Sequence, residues 1–302
     1  MTYILFTLGL VALFFGGEYL VRGASGVARH FRLSPMVIGL TIVGFGTSAP
    51  ELLVSVQAAV AGQPAIAIGN VLGSNIANIL LILGISAVIA PLVIPVSKLW
   101  RDLGFMLLAT AAIWAMLLDG QVSRAEGLLL IMGLAVFLGA AFLTGRVPQD
   151  EDTGGDMPQW KAWAMTIGGL VVLVIGARLL VDSASQIARA FGITEAVIGL
   201  TVVAIGTSLP ELATSVIAAL RKQTEIAVGN VVGSNIFNIF SILGITAVIA
   251  PIPAEARFAA VDMPVVGISA VGLCVLAYTL GGLPRSAGAV LLAAYAAYIV
   301  LI

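Results

Sequence analysis

The sequence predicts an all-α polytopic membrane protein: ten transmembrane helices built as two inverted-topology repeats of five. Three observations carry this expectation. The 302 residues are 60% apolar and only 10% charged, against roughly 25% charged in an ordinary soluble domain. Apolar runs long enough to cross a bilayer recur along the whole chain. One stretch of the first half also returns in the second at a constant offset.

Composition already narrows the function. Lys and Arg total 14 and Asp and Glu total 15, a net charge of −1, which excludes a nucleic-acid binder that works through a basic patch. The apolar content excludes a disordered chain. Thirty-four glycines in this background suit closely packed membrane helices. Cys274 is the single cysteine and His30 the single histidine. An intrachain disulfide, a thiolate cluster, a histidine-based triad and a multi-histidine metal site are therefore impossible, and no cofactor is expected.

A membrane helix needs about 20 predominantly apolar residues. The candidates are 3–22, 36–60, 66–90, 103–118, 125–144, 162–182, 196–220, 226–250, 262–280 and 286–302. The first lacks a basic leading region and carries Glu18, so it reads as a span rather than a cleaved signal. One polar stretch, with Pro148, Asp150, Glu151, Asp152, Asp156 and Pro158, reads as a solvated linker over 146–160. It separates a first five-helix unit, 1–145, from a second, 161–302. Its acids are too loosely spaced for a calcium-binding EF-hand loop.

Basic residues set the orientation. Loops after odd-numbered spans hold Arg22, Arg29, Arg32, Lys98, Arg101, Arg146, Lys161, Arg221, Lys222 and Arg285, and the other side holds Arg124, Arg178, Arg189 and Arg257. That bias puts both termini outside and the linker in the cytoplasm of a plasma membrane, or of the inner membrane in a Gram-negative cell.

Residues 36–91 align with 196–251 at an offset of 160 without a gap, and about two-thirds of the positions are identical. Gly46-Thr47-Ser48-Ala49-Pro50-Glu51-Leu52 recurs as Gly206-Thr207-Ser208-Leu209-Pro210-Glu211-Leu212. Gly69-Asn70-Val71-Leu72-Gly73-Ser74-Asn75-Ile76-Ala77-Asn78 recurs as Gly229-Asn230-Val231-Val232-Gly233-Ser234-Asn235-Ile236-Phe237-Asn238. With five spans per half, the second copy enters the membrane from the opposite side. Transporters of that architecture place their substrate sites near the midplane, where the copies meet.

Glu51 and Glu211 are the acidic residues expected well inside a span, where an ionisable group marks function by default. Each follows a proline, which removes a backbone donor and turns carbonyls such as that of Thr47 away from the helix. Two facing copies would gather Glu51, Glu211, Thr47 and Thr207 around one point. Every ligand offered is a hard oxygen, and calcium takes roughly six to eight of them in irregular geometry. Without a divalent cation the carboxylates repel one another, so a proton or monovalent cations take its place. The second block adds amides and hydroxyls, Asn70, Ser74, Asn75 and Asn78 with their copies Asn230, Ser234, Asn235 and Asn238, and Ser74 with Asn78, like Ser234 with Asn238, shares one helix face. These suit interhelical hydrogen bonds and ion contacts alike. Gly69 and Gly73, with Gly229 and Gly233, suit close helix packing.

The paired Gly-Thr-Ser-x-Pro-Glu and Gly-Asn-x-x-Gly-Ser-Asn-Ile motifs resemble the two alpha repeats of the cation/calcium exchanger superfamily, in particular its prokaryotic sodium/calcium exchangers. The resemblance covers essentially the whole chain. It implies exchange of cytoplasmic calcium for external sodium by alternating access, with sliding of the first and sixth helices. It implies calcium ligation by Glu51 and Glu211 with the backbone carbonyls of Thr47 and Thr207. Sodium sites would draw on Ser48, Ser208, Ala204, Ser74, Ser234 and Asn78. Many sodium-coupled members carry an aspartate where this chain has Asn238, so the pocket holds two negative charges. They balance one calcium, two protons or two sodium ions, which leaves a proton/calcium antiporter open on the same scaffold. A channel is a rival from another class. An intramembrane enzyme is disfavoured, because no Ser-His or Cys-His pair lies within the spans.

Overall fold

The computed structural model describes residues 2–94, 96–145, 157–192 and 204–301. Residues 146–156 of the expected linker and 196–203 of the second repeat lie outside the described residues.

The described chain is mainly helical. The first half contains α1 (Thr2–Phe31), α2 (Pro35–Thr47), α3 (Ala49–Val60), α4 (Pro64–Ile89), α5 (Val96–Leu117) and α6 (Arg124–Thr144). The second contains α7 (Gln159–Ala190), α8 (Ala204–Thr207), α9 (Leu209–Leu220), α10 (Thr224–Ile249), α11 (Phe258–Leu280) and α12 (Arg285–Leu301). Two short antiparallel ribbons depart from the all-helical expectation: β1 (Leu92–Val93) pairs with β4 (Gly282–Leu283), and β2 (Gln121–Val122) with β3 (Ile252–Pro253). Each ribbon joins a first-half loop to a second-half loop.

Among the described residues, seven helices are long and apolar enough to cross a membrane, and the bent pair α2–α3 makes eight. Helices α9 and α12 are apolar but shorter. Leu8, Phe14 and Phe15 on α1, Leu128, Met132 and Val136 on α6, and Ile268, Val271 and Val275 on α11 are exposed. In water such a surface would drive aggregation; in lipid it is the outer wall of the bundle. The chain is a membrane protein.

Helices α1 and α7 are longer than expected, 30 and 32 residues, or about 45 Å at 1.5 Å per residue. Their charges do not end them. Arg22 Nε sits 2.8 Å from Glu18 Oε1 on the same helix, and α1 then continues through the buried run Gly23, Ala24, Ser25 and Gly26. The two helices meet along a glycine ladder. A Cβ at Gly9 would lie 2.9 Å from Leu180 N, at Gly16 2.8 Å from Leu173 N, and at Gly23 2.5 Å from Thr166 N. Gly169 and Gly176 answer from α7, against Leu20 N at 2.5 Å and Leu13 N at 2.9 Å. Backbones this close make α1 and α7 one tightly joined pair.

Helix α5 also starts earlier than expected, and near its start Arg101 and Asp102 neutralise each other at 2.6 Å. Arg101 Nη1 further donates to Ala140 O at 3.0 Å and bonds Thr144, which ties α5 to the end of α6. Asp102 is fully buried, and its counterpart 160 positions on, Asp262, is nearly so. Glu51 and Glu211 are therefore joined by two further buried acids, which the sequence placed at span edges. Asp262 accepts a hydrogen bond from Tyr298 at 3.1 Å.

Helices α4 and α10 form the buried centre. Each contains a widened π-helical turn, Ala77–Ile82 in α4 and Asn238–Leu243 in α10, a feature common at functional sites. The expected close packing holds for the second copy: a Cβ at Gly229 would lie 2.7 Å from Met36 O, and one at Gly233 2.3 Å from Leu40 O. The matching partners of Gly69 and Gly73 would fall at 196–200, outside the described residues.

Candidate ion-binding site

The Gly-Thr-Ser-x-Pro-Glu motif is where α2 gives way to α3, with a 44° bend. Ser48 leaves the helical conformation at ψ 5°, and Pro50 falls at the start of α3, where its missing N–H costs nothing. Glu51 then lies in the first turn of α3, an end whose backbone dipoles favour negative charge. The second motif repeats this: Ser208 has ψ 7°, Pro210 opens α9, and Glu211 lies in its first turn.

The two glutamates come together deep in the molecule, each 1% exposed. Ser48 Oγ donates to Glu211 Oε1 at 3.0 Å, and Ser208 Oγ donates to Glu51 Oε1 at 3.3 Å. Each half thus supplies the serine that holds the other half's carboxylate. Ser208 also lies 3.4 Å from Ser74 Oγ. The second oxygens, Glu51 Oε2 and Glu211 Oε2, are buried with no hydrogen-bond partner.

Asn78 and Asn238, on the central helices, show the same incompleteness. Their amide nitrogens are used: Asn78 Nδ2 donates to Asn235 Oδ1 and Asn238 Nδ2 to Asn75 Oδ1, both at 2.9 Å. Their oxygens, Asn78 Oδ1 and Asn238 Oδ1, are buried and unpartnered. Four orphan atoms therefore belong to this set of residues, and all four are acceptors. Buried polar atoms are almost always satisfied, and only a donor or a cation can satisfy these. Among the described residues no group of three or more His, Cys, Asp or Glu could hold a metal ion. The arrangement is two carboxylates within a shell of neutral oxygens, which suits hard cations rather than transition metals.

The remaining expected residues take varied places. Thr47 is fully buried, and its hydroxyl donates to Val43 O at 3.1 Å within its own helix and lies 3.1 Å from Asn230 Oδ1. Ser234 donates to Gly44 O at 3.4 Å, which links α10 to α2. Thr207 ends α8 and is half-buried. Ala204 opens α8, and its side chain lies outside the described surroundings.

Four further asparagines of the repeated second block support the candidate site. Asn70 Nδ2 donates to Glu51 O at 3.2 Å and to Ser55 Oγ at 3.0 Å. Asn230 makes the same two bonds to Glu211 O at 3.3 Å and Ser215 Oγ at 2.9 Å. Asn75 and Asn235 hold the amides of Asn238 and Asn78. Their signal was present: all four are identical between the two copies.

The family described as Sodium/calcium exchanger protein matches residues 1–143 and 161–302. The chain is 33% identical to the sodium/calcium exchanger MaX1 of Methanosarcina acetivorans over 347 aligned positions, covering 100% of this chain and 98% of that one. It is 38% identical over 260 residues to the inner membrane protein YrbG of Escherichia coli, covering 82% and 79%. Among solved structures, the sodium-calcium exchanger NCX_Mj soaked with sodium and strontium superposes with a TM-score of 0.89 at 36% identity over 100% of both chains. With both halves matched by the family and MaX1 aligned over 98% of its length, the chain belongs to the sodium/calcium exchanger protein family, a family of exchangers and not of enzymes.

Proposed function

We propose that this protein is a cation/calcium antiporter that exchanges cytoplasmic calcium for external sodium by alternating access. The observation that carries the reading is the pair of buried glutamates, one from each half, held by each other's serines and left with unpartnered oxygens. Calcium would be held by Glu51, Glu211 and the backbone carbonyls of Thr47 and Thr207. Sodium would use Ser48, Ser208, Ser74, Ser234, Ala204, Asn78 and Asn238. Both ions are cargo, and no cofactor enters the mechanism.

We further infer ten spans in two inverted units, 1–145 and 161–302, joined by a cytoplasmic linker at 146–160, with both termini outside. Counterpart contacts at the 160-residue offset and the Lys/Arg bias of the loops support this. The α1–α7 pair is the natural moving part. It is joined within itself by glycines, and Leu170 and Val181 of α7 lie against Gly46 and Gly206 beside the two motifs.

The two carboxylates set the charge arithmetic. A bound calcium neutralises them, and its departure leaves two negative charges that demand replacement by cations from the other side. Obligatory replacement is what makes an exchanger. Because Asn238 is an amide, two protons balance the site as well as two sodium ions do, and a proton/calcium antiporter is the second reading.

Proteoliposomes loaded with sodium, at clamped pH and voltage, test both through radioactive calcium uptake. Uptake that requires the outward sodium gradient and disappears in Glu211→Gln supports sodium exchange. Uptake indifferent to sodium but driven by an imposed pH gradient transfers the protein to the proton-coupled reading. Uptake that neither saturates nor needs any counter-cation identifies a channel and overturns both.

A further inference from the structure

Asn75 and Asn235 are each 1% exposed, and neither has an unpartnered atom. Asn75 Nδ2 donates to Asn235 O at 3.4 Å, and Asn235 Nδ2 lies 3.9 Å from Met106 Sδ. Their Oδ1 atoms accept the amides of Asn238 and Asn78, each across the boundary between the halves.

A primary amide carries donor and acceptor on one carbon, so fixing the nitrogen fixes where the oxygen points. The last torsion of asparagine is broad and roughly two-fold. Nothing in Asn78 or Asn238 alone prevents the amide from turning over and presenting its NH2 group. An NH2 facing a cation repels it; a carbonyl oxygen attracts it. The crossed bonds occupy both nitrogens and leave both oxygens free.

We propose that Asn75 and Asn235 are positioning residues that select the oxygen-facing orientation of Asn238 and Asn78, and thereby set the cation affinity of the site without touching the cation. This rests on the proposed exchange function.

The test is a double-mutant cycle on calcium uptake by the full chain in proteoliposomes, using Asn75→Ala, Asn238→Ala and the pair. The expected result is a rise of about 10–100-fold in the half-saturating calcium concentration for Asn75→Ala, the range for residues that orient metal ligands. Maximal rate and thermal midpoint should change much less. In the Asn238→Ala background the same substitution should add less than about threefold, because contacting residues that act as a unit are not additive. The mirror cycle, Asn235→Ala with Asn78→Ala, should repeat the pattern and serves if Asn75→Ala does not purify. The proposal is overturned if Asn75→Ala leaves the half-saturating concentration unchanged, if the two losses multiply, or if both Asn75→Ala and Asn235→Ala fail to fold. Wild-type protein that exchanges no calcium under any gradient overturns the function instead, and the positioning role with it.

Discussion

Ser48 and Glu211 lie 163 positions apart in sequence and 3.0 Å apart in space, serine donating to carboxylate. The contact spans the two halves and orients one oxygen of Glu211 while the other stays free. A hydrogen bond to a charged group is worth about 1.5–3 kcal/mol. Ser48→Ala should therefore lower calcium exchange by roughly tenfold or more, and Ser48→Thr, which keeps the hydroxyl, should restore most of it. Ser208→Ala should behave alike through Glu51. Equal exchange by Ser48→Ala and wild type would remove this contact from the working site.

Glu51→Gln and Glu211→Gln keep the shape of the site but replace an anionic oxygen with a neutral amide. Each leaves one negative charge to hold a divalent cation. Loss should exceed the roughly 10–100-fold typical of residues behind the ligands. Direct binding of radioactive calcium to purified protein is the sharper measurement, since it separates lost affinity from blocked movement. A variant that binds calcium normally but does not transport it would mean the glutamate serves the conformational change instead.

The repeat made the candidate site legible in sequence, because Glu51, Glu211, Ser48 and Ser208 announce themselves twice. Which of the repeated asparagines leaves its oxygen free was not. Asn75 and Asn235 differ from Asn78 and Asn238 only in which atom is left over, and an alphabet of residues does not record donor direction. The spans were legible where apolar runs end in loops, as at 125–144. At α1 and α7 the helices run on past the expected spans, beyond Arg22 and Asp182. What overrides the charge is local pairing with Glu18 at Arg22 and a glycine ladder whose partner lies about 150 residues away, a distance no local window reads. Asp102 sits just outside the expected fourth span and is neutralised by the residue before it, so nothing in the apolar pattern marks it as buried.

Gly168 and Gly169 are neighbours on α7 with opposite surroundings. A Cβ at Gly168 meets nothing within 4 Å, whereas one at Gly169 would lie 2.5 Å from Leu20 N and 2.8 Å from Gly16 O. Gly168→Ala should leave stability unchanged or raise it by up to about 1 kcal/mol through helix propensity. Gly169→Ala must push α1 away, an overpacking that costs about 1–3 kcal/mol. Thermal unfolding of the two variants in one detergent checks this. Equal midpoints would mean that α1 and α7 are not held backbone to backbone in the folded protein.

Arg221, which ends α9, forms an ion pair with Glu18 on α1. The pair ties the α1–α7 unit to the helix that carries Glu211. The position 160 residues before Arg221 is Ala61 and the one 160 after Glu18 is Arg178, so the first half has no equivalent tie. If α1 and α7 move as one during alternating access, this contact must break in each cycle. Arg221→Gln removes it and leaves Glu18 paired with Arg22, so no charge is stranded. Ion pairs this exposed are worth roughly 0.2–1 kcal/mol, which sets the scale of the effect. The maximal exchange rate should rise by up to about fivefold, with little change in the calcium affinity of the binding-competent state. Raising the salt concentration should speed the wild type toward the variant, because screening weakens the tie. A rate unaffected by both the substitution and the salt would mean that Glu18 and Arg221 stay together while the site changes sides, and that α1 travels with α9 rather than past it.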